Sequence, residues 1–283
     1  MNKNGVKLIA AACAALMAST ANAQTRGGFE VGAEVFDYSY REREGGQIVV
    51  RDDGIFGGGS LGYVETIGGG AFVRSRLNLA FGSVDYRSVG PALGGPGAGE
   101  SRLDNVSQSI GQLEIHLGKD FSLGGITTLT PFIGLGSRYL EDNGGGKKTD
   151  DGLFAYDREV SYGYVPIGLS ARAPFGRGSS IVFSAQYNWV VDGKSKSKFS
   201  EIDPALPDIN VNLDKGHGFE FSALVSLPVG ARSVSFGPFM RHWNIDQSES
   251  FILKDPDGSG EALEFFEPRN RTMELGLRAS FSF

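Results

Sequence analysis

The carboxyl-terminal stretch reads Met273-Glu274-Leu275-Gly276-Leu277-Arg278-Ala279-Ser280-Phe281-Ser282-Phe283. Its odd-numbered positions are apolar, whereas its even-numbered positions are glycine, polar or charged. This period of two is typical of a β-strand with one apolar face, because successive side chains of a strand point to opposite sides. The sequence therefore predicts that the chain ends on an amphipathic strand whose last residue is aromatic.

The same alternation recurs upstream in six further runs. They are Leu77 to Phe81, Leu113 to Leu117, Ile133 to Leu135, Val165 to Ala171, Ile181 to Trp189, and Phe219 to Leu227. Together with weaker segments they predict ten strands: 28–41, 55–66, 70–87, 105–119, 128–141, 157–174, 179–193, 215–228, 233–247 and 269–283. Segment 55–66 is glycine-rich and is the weakest of them. Eight strands, or twelve if a long link contains a hairpin, are the alternatives.

The links between these strands alternate between short and long. The five long links are 42–54, 88–104, 142–156, 194–214 and 248–268. Alternating link lengths are typical of membrane β-barrels, which have short periplasmic turns and long surface loops. We therefore expect an all-β fold, a closed antiparallel transmembrane barrel of about ten strands with both termini in the periplasm.

The terminal strand resembles the last strand of bacterial outer-membrane barrels. That resemblance implies residence in the outer membrane and a role for Phe281 and Phe283 in recognition by the barrel-insertion machinery. A ten-stranded barrel also resembles the omptin proteases, although only in architecture. Small outer-membrane barrels in general, rather than one family, are the resemblance that the sequence supports.

The amino terminus has the pattern of a secretory signal peptide. Lys3 and Lys7 precede an apolar run, which leads to the A-x-A cleavage motif Ala21-Asn22-Ala23. We expect residues 1–23 to be removed and residues 24–283 to form the barrel domain. The one cysteine, Cys13, lies in the leader, so the mature chain is expected to have neither disulfides nor a cysteine nucleophile.

The charge balance of the chain is acidic, with 33 Asp and Glu against 27 Lys and Arg. A net negative chain is a poor partner for nucleic acid, whose phosphates bind basic surfaces. We therefore expect no nucleic-acid partner, and outer-membrane lipid and lipopolysaccharide as the surroundings. Tyr63, Tyr139, Tyr187, Trp189 and Trp243 are candidates for aromatic girdles at the membrane interfaces.

Charged residues occupy the face of the strands that the alternation turns inward. The predicted lumen set is Glu30, Glu34, Arg74, Arg76, Glu114, His116, Arg138, Arg172, Glu220, Arg241, Glu274 and Arg278. A nearly balanced set inside a narrow barrel favours an ionic network over an open pore, because unpaired buried charge is costly. General diffusion porins use about 16 to 18 strands.

No convincing catalytic constellation is found in the sequence. The three histidines, His116, His217 and His242, do not occur in the Asp-x-His motif of omptins or the His-x-Ser motif of barrel acyl hydrolases. The nearest substitutes for an omptin-like rim site are Asp52 with Asp53, and His242 with Asp246. We therefore expect no enzymatic activity.

Two local motifs suggest ligands. Asp255, Asp257, Ser259 and Glu261 resemble the opening of an EF-hand loop and indicate a candidate Ca²⁺ site, but position 12 is Phe266 instead of the expected glutamate. Otherwise we expect no cofactor. Lys194, Lys196 and Lys198 alternate near the end of a strand and are candidates for contact with lipopolysaccharide phosphates.

Three functions follow as hypotheses. The first is a non-enzymatic outer-membrane barrel with a largely filled lumen, whose surface loops contact a partner or lipopolysaccharide or support the envelope. The second is a narrow, porin-like solute channel. The third is a hydrolase of omptin type at the rim. The natural ligand and the oligomeric state do not follow from the sequence.

Overall fold

Fourteen β-strands are present in the computed structural model, which describes residues 27–89, 100–124, 127–176, 178–254 and 262–283. Ten form a barrel: β1 (Gly28–Glu44), β2 (Gln47–Gly68), β3 (Ala71–Val89), β4 (Glu100–Lys119), β6 (Thr127–Asn143), β7 (Arg158–Phe175), β8 (Ser179–Ser197), β10 (Gly216–Val229), β11 (Arg232–Ile245) and β14 (Arg269–Ser282). The others are short: β5 (Phe121–Leu123), β9 (Ile209–Asn212), β12 (Phe251–Lys254) and β13 (Ala262–Phe265). A 3-10 turn covers Phe199–Glu201.

The sheet closes on itself through antiparallel pairs. The last strand, β14, pairs with β1 on one side and β11 on the other, with Ala33 opposite Ala279. β8 and β10 pair with Phe221 opposite Ala185, which completes the ring. The predicted ten-stranded closed antiparallel barrel is confirmed. Closure leaves the barrel without a free edge, as hydrocarbon surroundings require.

The link predicted at 42–54 is wrong, because the flanking strands extend through it. β1 continues to Glu44 and β2 begins at Gln47, so the connection is the pair Gly45-Gly46. Both glycines have positive φ, +55° and +84°, which is the backbone that a two-residue hairpin with right-handed twist requires. Outward-facing charged residues made this segment look like a loop, but they are stable on a strand that lies in water.

Two alternatives for the strand number are also settled. The glycine-rich segment predicted as the weakest strand is the longest one, β2, with 22 residues. At Gly58 a Cβ would lie 2.5 Å from the carbonyl oxygen of Leu79, so glycine lets β2 and β3 approach closely. The last long link does contain a hairpin, β12 with β13, but the pair forms a separate sheet, so the barrel keeps ten strands.

The outer wall of the barrel carries a band of exposed apolar side chains, here called the apolar band. It includes Val35, Ile55, Phe81, Leu135 and Leu277. Such a band is the lipid-facing surface of transmembrane barrels. In the described part of the chain, no helix has the length and apolarity needed to span a bilayer.

The two ends of the barrel differ. The turn end holds Gly28, Phe283 and the short connections other than Gly45-Gly46, whereas the loop end holds Gly45-Gly46 and the long connections. Toward the loop end the outward positions become charged, with Arg51, Asp53 and Arg87 exposed. Because about 9–11 residues cross a membrane, strands of 17 and 22 residues project beyond the apolar band.

One predicted girdle residue is misplaced. Trp243 is only 1% exposed and lies inside the barrel, where its ring packs against Tyr162 and Tyr164 with centroid distances of 5.1 and 5.0 Å. Trp243 points inward because side chains alternate between the two faces of a strand, and it lies two residues from inward-facing Arg241 on β11. Trp189 and Tyr187 are exposed on the outer wall.

Candidate functional site inside the barrel

Side chains from opposite walls meet in the middle of the lumen. The ring order of the strands is β1, β2, β3, β4, β6, β7, β8, β10, β11, β14, so β6 and β14 are opposite, as are β3 and β10. Arg138 of β6 donates to Glu274 of β14, and both side chains are fully buried. Arg76 of β3 lies 3.4 Å from Glu220 of β10. These two pairs reach across the full width of the barrel.

Further ion pairs join these bridges into one cluster, here called the central network. Its members are Glu34, Arg76, Glu114, Arg138, Glu220, Arg241, Glu274 and Arg278. Arg241 donates to both carboxylate oxygens of Glu34 and also to Glu274. Four carboxylates face four guanidinium groups, so the formal charges of the central network cancel.

Neutral side chains complete the hydrogen bonding of Glu114. The Tyr164 hydroxyl and the Gln186 amide donate to its Oε1 at 3.0 and 2.7 Å, while Arg76 donates to Oε2 at 2.7 Å. Glu114 is 1% exposed. Buried charge is stable only when it is paired and hydrogen-bonded in this way.

The remaining members of the predicted lumen set lie outside the central network. His116 is buried, with its Nε2 3.7 Å from Glu114 and its ring stacked on Phe132. Glu30 accepts from Ser282 at 3.2 Å, and Arg172 donates to Ser180 at 2.9 Å. The guanidinium of Arg74 lies over the ring of Phe72 at 5.3 Å.

A second group of charged side chains fills the lumen nearer the loop end. This loop-end cluster consists of Tyr40, Glu42, Asp52, Asp142, Arg158 and Glu267. Arg158 of β7 donates to the Tyr40 hydroxyl of β1, on the opposite wall, at 2.7 Å. It also pairs with Glu42 at 3.1 Å and with Glu267. The cluster contains four carboxylates and one guanidinium group, so it is formally acidic.

A small cavity lies beside this cluster. Its lining residues include Asp52, Asp142, Tyr38, Tyr40, Tyr162 and Arg158. The space open to the centre of a water molecule is about 20 Å³, enough for one water-sized occupant. Asp52 is 4% exposed; its Oδ2 accepts from Gln108 at 3.3 Å, whereas its Oδ1 has no hydrogen-bond partner among the described residues.

The two aspartates of the cavity are costly to ionise. They lie beyond the apolar band, at the level where the outer wall carries Arg41 and Asp53. Burial raises the pKa of Asp142 to about 6; the Arg158 guanidinium opposes this shift and Glu42 adds to it. Burial also raises the pKa of Asp52 well above its usual range, and Asp142 and Glu42 raise it further.

The candidate residues for an omptin-like rim site are not brought together. Asp52 points into the barrel, whereas Asp53 points outward and pairs with Arg41 at 2.6 Å. His242 is on the outer wall, where its Nδ1 lies 3.0 Å from the carbonyl oxygen of Thr272. Asp246 follows the end of β11 and lies 3.6 Å from Arg269. The barrel wall therefore separates Asp52 from His242.

The candidate Ca²⁺ residues Asp255, Asp257, Ser259 and Glu261 lie outside the described residues. Within the described ranges, no three His, Cys, Asp or Glu side chains are grouped so that they could hold a metal ion. Of the three lysines proposed to contact phosphates, Lys196 pairs with Asp208 at 3.1 Å and Lys198 with Glu159 at 3.0 Å. Lys194 is exposed.

The terminal phenylalanines lie at the turn end of β14. Phe283 exchanges backbone hydrogen bonds with Phe29 at 2.9 and 3.0 Å, and its ring is half exposed. The guanidinium of Arg232 lies within 6.0 Å of the ring centres of both Phe281 and Phe283. Backbone pairing between β14 and β1 therefore extends to the last residue, Phe283.

The sequence does not predict the loop-end cluster, because segments 42–54 and 142–156 have the composition of loops. One signal could have revealed part of it. Tyr38, Tyr40 and Glu42 continue the inward alternation of β1 beyond its predicted end. Glu267, by contrast, precedes β14 and reaches the lumen only through the tertiary fold.

The ten-stranded ring, the apolar band and the charged interior define the chain as having the fold of bacterial outer-membrane β-barrels. Among solved structures it is similar to the outer membrane protease OmpT from Escherichia coli, with a TM-score of 0.61 and 10% identity over 94% of this chain and 99% of that one. It also matches the β domain of the Bordetella autotransporter BrkA, with a TM-score of 0.41 and 13% identity over 90% and 100% of the two chains. At such identities the likeness concerns the fold alone.

No family model matches the sequence, and no curated protein matches it.

Proposed function

We propose that this chain is an outer-membrane β-barrel whose closed lumen carries no solute and whose loop end contacts ligands or partners outside the cell. The observation that carries the proposal is the set of ion pairs between opposite walls, Arg138 with Glu274 and Arg76 with Glu220. A solute path would have to break buried, charge-assisted hydrogen bonds, which are the strong ones. The periplasmic position of the termini and the removal of residues 1–23 belong to the same proposal.

Planar-bilayer recording tests the closed lumen. The purified protein is expected to give no single-channel steps, whereas a variant with Arg76→Ala, Arg138→Ala and Arg158→Ala should give steps, because all three contacts between opposite walls are removed. The Asp53→Asn variant, altered on the outer wall, is the matched control and should stay silent. Reproducible steps from the unaltered protein would overturn the closed lumen in favour of a narrow channel.

A non-enzymatic role is supported by the positions of Asp52 and His242 on opposite sides of the barrel wall. A general base must lie within hydrogen-bond reach of the group that it deprotonates. Cleavage of peptides or lipids by the purified protein, lost in His242→Ala, would overturn this part of the proposal.

Contacts with the membrane form the last part of the proposed function. Lys194 is exposed beyond the apolar band and is suited to contact lipopolysaccharide phosphate, whereas Lys196 and Lys198 are paired with carboxylates of the protein itself. Phe281 and Phe283 are suited to recognition by the barrel-insertion machinery, since they end an amphipathic strand at the turn end.

A further inference from the structure

The loop-end cluster contains more negative charge than the protein itself neutralises. Arg158 is held by Glu42 and Glu267, and it lies 3.9 Å from Asp142. Asp52 has no cationic partner among the described residues. Buried carboxylates are normally paired or hydrogen-bonded, because isolated buried charge is costly.

The unpartnered oxygen belongs to a carboxylate that lines the cavity. Asp52 is 96% buried, its Oδ2 is occupied by the Gln108 amide, and Oδ1 is left for an occupant. Asp142, also a lining residue, has a side chain that is 24% exposed. The cavity is therefore not sealed on the side of Asp142.

The walls of the cavity favour an ammonium group over a metal ion. Tyr38, Tyr40 and Tyr162 contribute aromatic rings, and rings attract organic cations through their π-faces. A calcium ion takes six to eight oxygen ligands, yet only two carboxylates line this space. A primary ammonium group is as small as the cavity, and it has three N–H donors for the surrounding oxygens.

The loop-end cluster already holds the Arg158 guanidinium between an aromatic ring and carboxylates. The guanidinium of Arg158 lies 5.3 Å from the centre of the Tyr40 ring while it pairs with carboxylates. Arg158 is itself a lining residue of the cavity, so aromatic rings and carboxylates already surround one nitrogen cation at the edge of this space.

We propose that the cavity at Asp52 and Asp142 binds the primary ammonium group of a small amine that enters from the loop end. Binding there needs no open lumen, so it is independent of whether the barrel conducts. The shared chemistry, an ammonium on an alkyl stem, occurs both in free diamines and in lysine side chains.

Calorimetric titration of the full-length protein in detergent tests this site with two probes, 1,4-diaminobutane and N-acetyl-lysine amide. We expect saturable binding with a Kd of about 1 mM or tighter for at least one of them. Binding of the diamine alone would identify a free amine as the ligand, and binding of the lysine derivative would identify a polypeptide side chain. N-acetyl-norleucine amide, which lacks the ammonium, should not bind.

Variants locate the binding. Asp52→Asn should weaken it by about tenfold or more, while Asp53→Asn, one residue away but on the outer wall, should leave it unchanged. If Asp52→Asn fails to fold, as judged by thermal unfolding, Asp142→Asn takes its place. The proposal would be overturned if neither amine showed saturable binding, or if Asp53→Asn weakened binding as much as Asp52→Asn. It would also be overturned if the protein bound calcium but no amine, and if Asp52→Asn abolished the calcium binding.

Discussion

The central network and the loop-end cluster are built from the same residue types in the same lumen, but their charges are balanced differently. The central network sets four carboxylates against four guanidinium groups, whereas the loop-end cluster sets four carboxylates against Arg158 alone. A balanced set locks opposite walls together. An unbalanced set keeps carboxylates such as Asp52 free for a cation or a proton. The comparison places the paired charges that join opposite walls in the middle of the barrel and the unpaired carboxylates at its loop end.

The largest effect is expected from breaking the central network. Glu274→Ala leaves Arg138 and part of Arg241 without their partner, and removal of one partner from a buried ion pair costs about 3–5 kcal/mol. Urea unfolding in detergent micelles measures the loss.

The control for this variant removes both charges. Glu274→Leu with Arg138→Met should be clearly more stable than Glu274→Ala, because no charge is left unpaired on β6. A loss below about 1 kcal/mol in Glu274→Ala, the range of exposed pairs, would contradict the locking role.

A substitution in the loop-end cluster is expected to have an intermediate effect, and to raise the free energy of unfolding where Glu274→Ala lowers it. A carboxyl with a raised pKa in the folded state stabilises the fold below its unfolded pKa, and this stability is lost as the pH rises through about 6 for Asp142. Asp142→Asn should therefore stabilise the amine-free protein by about 1–2 kcal/mol at pH 8.

At pH 4 the same substitution should have little effect, because the carboxyl is already protonated in the folded protein. Urea unfolding at the two pH values checks the difference. An equal change at both would show that Asp142 carries no unfavourable charge in the fold.

The smallest effect is expected on the outer wall beyond the apolar band. Asp53→Asn breaks the pair with Arg41, in which the aspartate side chain is 54% exposed. Exposed ion pairs contribute about 0–1 kcal/mol, so the unfolding midpoint should hardly move. If Asp53→Asn lowered the free energy of unfolding as much as Glu274→Ala does, solvent exposure would not explain the difference between exposed and buried ion pairs.

Much of the central network could be predicted from alternation alone. Glu34, Glu114 and Glu274 each occupy an inward-facing position of a clearly amphipathic strand. Which of them meets which arginine could not be predicted, because Arg138 and Glu274 are separated by 136 residues and meet only when the ring closes. The location of Trp243 could not be predicted either, because an aromatic residue is stable both in an interfacial girdle and inside the lumen.

The loop-end cluster was harder to predict because strands that leave the membrane lose their apolar face. Around Glu42 and Asp52 the outward face of the hairpin carries Arg41, Arg51 and Asp53 in place of apolar residues, so alternation gives only a weak signal for the strand. Only pairing with the neighbouring strands shows that Asp52 points inward.

The sequence by itself determined where the membrane-crossing strands lie, their inward and outward faces within the apolar band, and the aromatic end of the last strand, because all three depend on a local period of two. The tertiary structure alone decided which charges pair across the lumen and that Asp52 is buried with no cationic partner among the described residues. Those properties depend on ring closure, which brings together residues that are distant along the chain.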